Sequence, residues 1–180
     1  MVTRIVRRYT KALYEEASQL GIQKEVNEDV TSLYNLLKSN RLLRNFFQSP
    51  ILSKNKKQSV VRILFEGKIH EESLKFLLFL IEQNREDLIV PLFEDYIGYE
   101  KEMNNKLDVV VTSVIELDKV EKEKIIRSVT EYSKKEILPT FDTDESLIGG
   151  FRINMGNYVI DASISHQLDV IKNKFKQVSL

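Results

Sequence analysis

Cysteine is absent from all 180 residues. That excludes a disulfide framework, a thiolate zinc site and a cysteine nucleophile together, and it is compatible with a reducing compartment. Net charge is also missing, because 27 basic and 27 acidic residues cancel. A general nucleic-acid binder usually carries a basic excess, so the balance argues against a polyanion partner. No apolar run approaches the roughly 18 residues needed to cross a bilayer. The longest, Phe76 to Ile81, suits a buried core helix. Arg4, Arg7, Arg8 and Lys11 open the chain without an apolar signal core behind them, so it is expected to stay where it is made. Any membrane contact is expected to come through partners.

Recognisable chemistry is equally scarce. There is no G-x-S-x-G elbow, no G-x-x-x-x-G-K-[ST] phosphate loop and no EF-hand pattern around Asp142, Asp144 and Glu145. His70 and His166 lie far apart, without carboxylate-His spacing for a metal. Asp161, Ser163, Ser165 and His166 contain the residue types of a hydrolase triad, but helix capping by Ser163 explains the serine without chemistry. The basic opening reads either as an RNA or anionic-lipid patch or as a solvated helix face, and the neutral total favours the face. No catalytic group, cofactor or metal is expected.

What is present is a protein with 42% hydrophobic and 30% charged residues, a composition that fits a folded core under a charged surface. Its first hundred residues read as six helices, implying a compact bundle. Ile5, Tyr9, Ala12, Leu13, Ala17 and Leu20 recur at helical spacing, and Gly21 closes that segment. Ile22, Val26, Val30, Leu33 and Leu37 form a second stripe. Asn40 caps a short third helix with Leu42, Leu43, Phe46 and Phe47, which Ser49-Pro50 ends. Ser53 caps a fourth with Val60, Val61, Leu64 and Phe65. The fifth, from about Glu71 to Asn84, is apolar almost all round over its middle turns. The sixth begins near Glu86-Asp87 and carries Leu88, Leu92, Phe93, Tyr96, Ile97 and Met103.

The character changes at Asn104-Asn105, so the domains are expected at 1–105 and 106–180. Leu107 to Val114 is β-branched and reads as a strand. Asp118 and Glu121 form a capping box for a helix carrying Ile125, Val129 and Tyr132. Pro139 and Asp142-Thr143 read as a break. Phe151, Ile153 and Met155 alternate with polar residues, and Gly156-Asn157 suits a type II′ hairpin turn. Ser163 caps a final helix with Ile164, Leu168, Ile171 and Phe175 on one face. The expected class is mainly α, with a six-helix bundle followed by a small α+β portion containing a β-hairpin. The apolar girth of the fifth helix also predicts a groove against the first, with Tyr9, Leu13, Phe76, Phe79 and Leu80 as anchors for an amphipathic partner helix.

Four patches carry a resemblance to a known family. Arg7-Arg8-Tyr9-Thr10-Lys11-Ala12-Leu13-Tyr14-Glu15 is similar to an opening R-x-Y-A-x-A-L-F-E pattern. Phe79-Leu80-Ile81-Glu82-Gln83-Asn84-Arg85 is similar to an I-x-E-N-G-R helix end. Val110 to Leu117 is similar to a V-x-S-A-x-x-L strand and turn. Asp144-Glu145-Ser146-Leu147-Ile148-Gly149-Gly150-Phe151, continued through Gly156 to Asp161-Ala162-Ser163, resembles a D-x-S-L-I-G-G-F … V-I-D-G-S signature. In order and spacing they resemble the delta subunit of bacterial F-type ATP synthases, whose mitochondrial counterpart is the oligomycin-sensitivity-conferring protein. Two positions depart: Gln83-Asn84 stands where Asn-Gly is usual, and Ala162 where Gly is common.

The resemblance implies a non-catalytic peripheral-stalk subunit, held at the cytoplasmic face of a bacterial membrane as part of the complex. It implies that the bundle grips the N-terminal helix of an alpha subunit between its first and fifth helices, through Tyr9, Ala12, Leu13, Phe76, Phe79, Leu80 and Gln83. The C-terminal portion would hold the b subunits, so that the joint resists rotor torque. A helical RNA-binding or transcription-associated adaptor is the alternative, and it leaves the Leu147 to Ser163 signature without a role.

Overall fold

The computed structural model describes residues 4–156 and 158–178, residues 171 and 173–178 by their backbone alone. The chain divides into two compact units between Lys101 and Glu102. The first unit holds α1 (Arg4–Leu20), α2 (Gln23–Ser39), α3 (Arg41–Gln48), α4 (Lys54–Phe65), α5 (Glu71–Glu82) and most of α6 (Ile89–Met103), with a 3-10 turn over Glu86–Leu88.

The ends of these helices follow from local chemistry. Gly21 adopts φ +71°, which lets the Ile22 amide reach the Ala17 carbonyl at 2.9 Å and the Gly21 amide reach Ser18 at 3.2 Å, a Schellman ending. Asn84 makes the same ending for α5 at φ 52°, with the Arg85 amide on the Leu80 carbonyl at 2.8 Å. Asparagine therefore does there what glycine usually does. Asn40 caps α3 by accepting from the Leu43 amide at 3.1 Å. Ser53 stands at the N-cap of α4 without a side-chain cap bond. His70 caps α5, its Nδ1 accepting from the Glu72 amide at 3.2 Å.

The bundle core centres on α5 and α6. Leu77, Leu80, Ile81, Leu92, Phe93 and Tyr96 are all fully buried, each aliphatic side chain stabilising the fold by roughly 1.5–3 kcal/mol. The stripe on α1 is shifted from the expected one. Val6, Thr10, Leu13 and Ala17 face inward, while Ile5 and Leu20 are exposed. Leu42, Leu64 and Met103 are also exposed, because α3, α4 and α6 each bury a narrower face than their apolar content suggested. One charged residue joins the core: Lys57, in register with Val61 and Phe65 on α4, is buried.

The second unit holds β1 (Lys106–Ser113), α7 (Lys119–Ser133), β2 (Glu136–Thr143), β3 (Phe151–Met155), β4 (Tyr158–Asp161) and α8 (Ile164–Val178). The sheet order is β2-β1-β3-β4, with β1 and β2 parallel and the other two pairs antiparallel. The segment around Pro139 is therefore a strand and not a break. Proline is tolerated because β2 lies at the sheet edge, where a missing amide proton removes no ladder bond. The Asp118–Glu121 capping box is present, with bonds of 2.7 and 3.0 Å. Val109, Val111, Val129, Ile153 and Met155 make a second, smaller core. Tyr132, which α7 carries with Ile125 and Val129, is exposed, whereas Val129 is buried.

The hairpin between β3 and β4 closes over two residues, since Met155 pairs with Tyr158. Gly156 supplies the positive φ of such a turn, +63°; Asn157 lies outside the described residues. On α8, Ile164 and Leu168 are exposed, and the side chains of Ile171 and Phe175 lie outside the described ones.

Candidate functional site

A groove of about 430 Å³ runs between α1 and α5. Helical spacing dictates which residues line it. On α5, Glu72, Lys75, Phe76 and Phe79 recur at i, i+3, i+4 and i+7 and share one face, whereas Leu77, Leu80 and Ile81 point into the bundle. On α1, Arg8, Tyr9, Ala12 and Glu16 form the matching wall, and the buried Leu13 and Ala17 form the floor with Val26 of α2. Tyr9 and Phe79 meet edge-to-face with ring centroids 6.0 Å apart. Phe79 remains 44% exposed, which is a large apolar surface left in water. The small Ala12 side chain keeps the groove open between the larger groups on either side.

Five of the seven residues expected at a partner site, namely Tyr9, Ala12, Leu13, Phe76 and Phe79, thus converge on this groove. Leu80 does not, since it is fully buried in the bundle core. Successive helical residues are about 100° apart, so Phe79 and Leu80 cannot both face the groove. Gln83 is the exposed C-cap of α5 and does not line it. The rim residues Arg8, Glu16, Glu72 and Lys75 belong to the site as well. An apolar stripe does not single them out, but their positions beside Tyr9, Ala12, Phe76 and Phe79 do. Lys75 is held between Glu71 and Glu72 at 2.9 and 2.8 Å, bonds that raise its pKa and lower that of Glu71.

The basic opening of the chain is only partly a free patch. Arg7 pairs with the nearly buried Asp95 at 3.6 Å and stacks over the Tyr99 ring at 5.0 Å, so one of its four cations is committed to α6.

Comparison with known proteins turns this geometry into an identification. The family model "ATP synthase delta (OSCP) subunit" matches residues 5–175. The chain is 33% identical over 176 residues to ATP synthase subunit delta of Salinibacter ruber, covering 98% of this chain and 93% of that one. It is 34% identical over 169 residues to the subunit delta of Clostridium perfringens, covering 92% and 93%. The chain belongs to the ATP synthase delta (OSCP) subunit family. Its fold also matches a chain in the cryo-EM structure of the Toxoplasma gondii mitochondrial ATP synthase hexamer, with a TM-score of 0.71 at 22% identity, over 96% of this chain and 98% of that one. As a delta subunit it is a non-catalytic part of the ATP synthase peripheral stalk. Among the described residues no helix is long and apolar enough to cross a membrane.

The C-terminal signature of the delta subunit then reads as a structural joint. Leu147 is buried at the end of a 3-10 turn over Glu145–Leu147. Gly150 adopts φ +76°, and a Cβ there would run into the Ala162 carbonyl; one on Gly149 would run into the Ile164 side chain. These close approaches let the Ala162 amide bond the Phe151 carbonyl and the Ile164 amide bond the Gly149 carbonyl, both at 3.0 Å. Asp161 accepts from Arg152 at 2.8 Å and from the Ser163 amide and hydroxyl at 3.0 and 2.5 Å. Ser163 is fully buried and accepts from the main-chain amide of His166 at 3.2 Å. A serine held in this way caps α8 and is not presented to a substrate.

Two predictions arise here. Gly150→Ala combines a strained φ with a backbone collision and should destabilise the second unit by about 2–3 kcal/mol. Gly21→Ala, with nearly the same φ but open space around it, should cost only about 1 kcal/mol. Equal losses in urea unfolding would remove the collision from the account. The second concerns Asp161, whose pKa falls to about 2, first through the Ser163 hydroxyl, then the Ser163 amide and Arg152. A depressed carboxylate stabilises the fold fully above its unfolded pKa near 4 and loses that contribution as pH falls toward 2. The stability advantage of wild type over Asp161→Asn should therefore be constant above about pH 5 and shrink between pH 4 and 2. An advantage unchanged at pH 2 would mean the ionised carboxylate plays no part.

Proposed function

We propose that this delta subunit joins the catalytic head to the peripheral stalk. The α1–α5 groove takes the amphipathic N-terminal helix of an alpha subunit, and the second unit holds the b subunits. The joint resists the torque of the rotor, at the cytoplasmic face of a bacterial membrane. The observation carrying this reading is the groove itself, in which a half-exposed Phe79, Tyr9 and Phe76 converge over an apolar floor. A groove of that kind fits one face of a helix with anchors at i, i+3, i+4 and i+7. Its affinity comes chiefly from apolar burial, so most of it survives salt.

The test is calorimetric titration with a synthetic alpha-subunit N-terminal peptide from the same organism. Tight 1:1 binding whose affinity changes by less than about tenfold between low and high salt supports the reading. No heat and no complex would sink it.

A further inference from the structure

We infer that the rim of this groove selects its helix by two charges of opposite sign set two turns apart. The inference rests on the reading that the groove takes a helix. Of the four charged residues on the rim, Glu72 and Lys75 are already joined at 2.8 Å. Arg8 and Glu16 are exposed and pair with no other described residue. They lie eight residues apart on α1, which is about 12 Å along the helix axis at 1.5 Å per residue. One end of the groove therefore carries an unanswered cation and the other an unanswered carboxylate, with Tyr9 and Ala12 between them.

A docked helix covers the same 12 Å in seven or eight residues. The complementary ligand has an acidic residue over Arg8 and a basic residue seven or eight positions away over Glu16, flanking the apolar anchors. Sliding that helix by one turn moves both charges off their partners while apolar contact persists. A shift of two turns brings like charges together. The apolar floor thus supplies affinity, and the Arg8 and Glu16 pairs fix the register, as charge does at other interfaces.

The experiment uses the full chain and the alpha-subunit peptide at about 20 mM and about 0.5 M salt. Arg8→Glu and Glu16→Lys should each weaken binding about tenfold at low salt and far less at high salt. The double variant should recover affinity for a peptide whose acidic and basic residues are exchanged. Both residues are exposed, so circular dichroism of the variants should match wild type. Wild-type binding with unchanged affinity in both variants would overturn the charge selection and leave the groove reading intact. Failure of the exchanged peptide to rescue the double variant would also overturn it. Absence of binding by wild type would overturn both.

Discussion

Phe79→Asp should abolish alpha-peptide binding while leaving the bundle folded. The side chain is 44% exposed, so its removal takes little from the core. The edge contact with Tyr9 is the main intramolecular loss, worth about 0.5–1.5 kcal/mol. In the complex the same ring would be enclosed between two helices and the ligand. Truncating a central aromatic anchor typically costs 2–4 kcal/mol, and a carboxylate buried in its place adds a desolvation penalty. The expected fall in affinity is at least a hundredfold, or about 3 kcal/mol, with far-UV dichroism unchanged. Leu80→Asp, one residue on, should behave in the opposite way: Leu80 is fully buried, and a charge there should unfold the bundle. Binding by Phe79→Asp at wild-type strength would show that the groove is not the docking surface.

That contrast also marks what the sequence could and could not reveal. The run from Phe76 to Ile81 announces a helix with more apolar surface than one face needs. It does not say which residues serve the core and which line the groove. Only the rotation of α5 decides that Leu77, Leu80 and Ile81 point inward and Phe76 and Phe79 outward. The same ambiguity shifted the stripe on α1, which has two adjacent apolar faces. Val6, Thr10, Leu13 and Ala17 are core, with threonine weakening the signal, while Tyr9 and Ala12 look onto the groove.

In the second unit, signals that rest on local chemistry were the readable ones. The Asp118–Glu121 box, the two-residue hairpin loop and the Ser163 cap each depend on residues a few positions apart. Strand β2 depends on pairing with β1 some thirty residues earlier, and nothing local compels it. Its Pro139 and its largely exposed faces disguise a strand, because an edge strand needs neither an unbroken amide row nor clean alternation. The better clue was topological. A strand and a capped helix, followed by Ile137, Leu138 and Phe141, are the parts of a β-α-β crossover.

Lys57→Met should cost the bundle much of its stability, and the reason is the position of Lys57. It occupies an apolar register with Val61 and Phe65, is buried, and reaches two acceptors: the Phe47 carbonyl at 2.7 Å and Glu86 at 2.8 Å. It therefore ties the C-terminal end of α3 and the turn before α6 to α4 through one ammonium. The Glu86 side chain is only 11% exposed. Lys57→Met keeps the length and apolar stem but strands Glu86 and the Phe47 carbonyl without their donor. Breaking a buried pair from one side costs about 3–5 kcal/mol, a large share of the 5–15 kcal/mol that holds a typical domain. Adding Glu86→Leu removes the orphaned carboxylate and should restore much of the loss, because two apolar groups of similar size often match a buried pair. Denaturant unfolding of wild type, both single variants and the double variant measures the coupling directly. Additive losses would mean that the lysine and the glutamate act independently and that their ion pair does not hold the turn before α6.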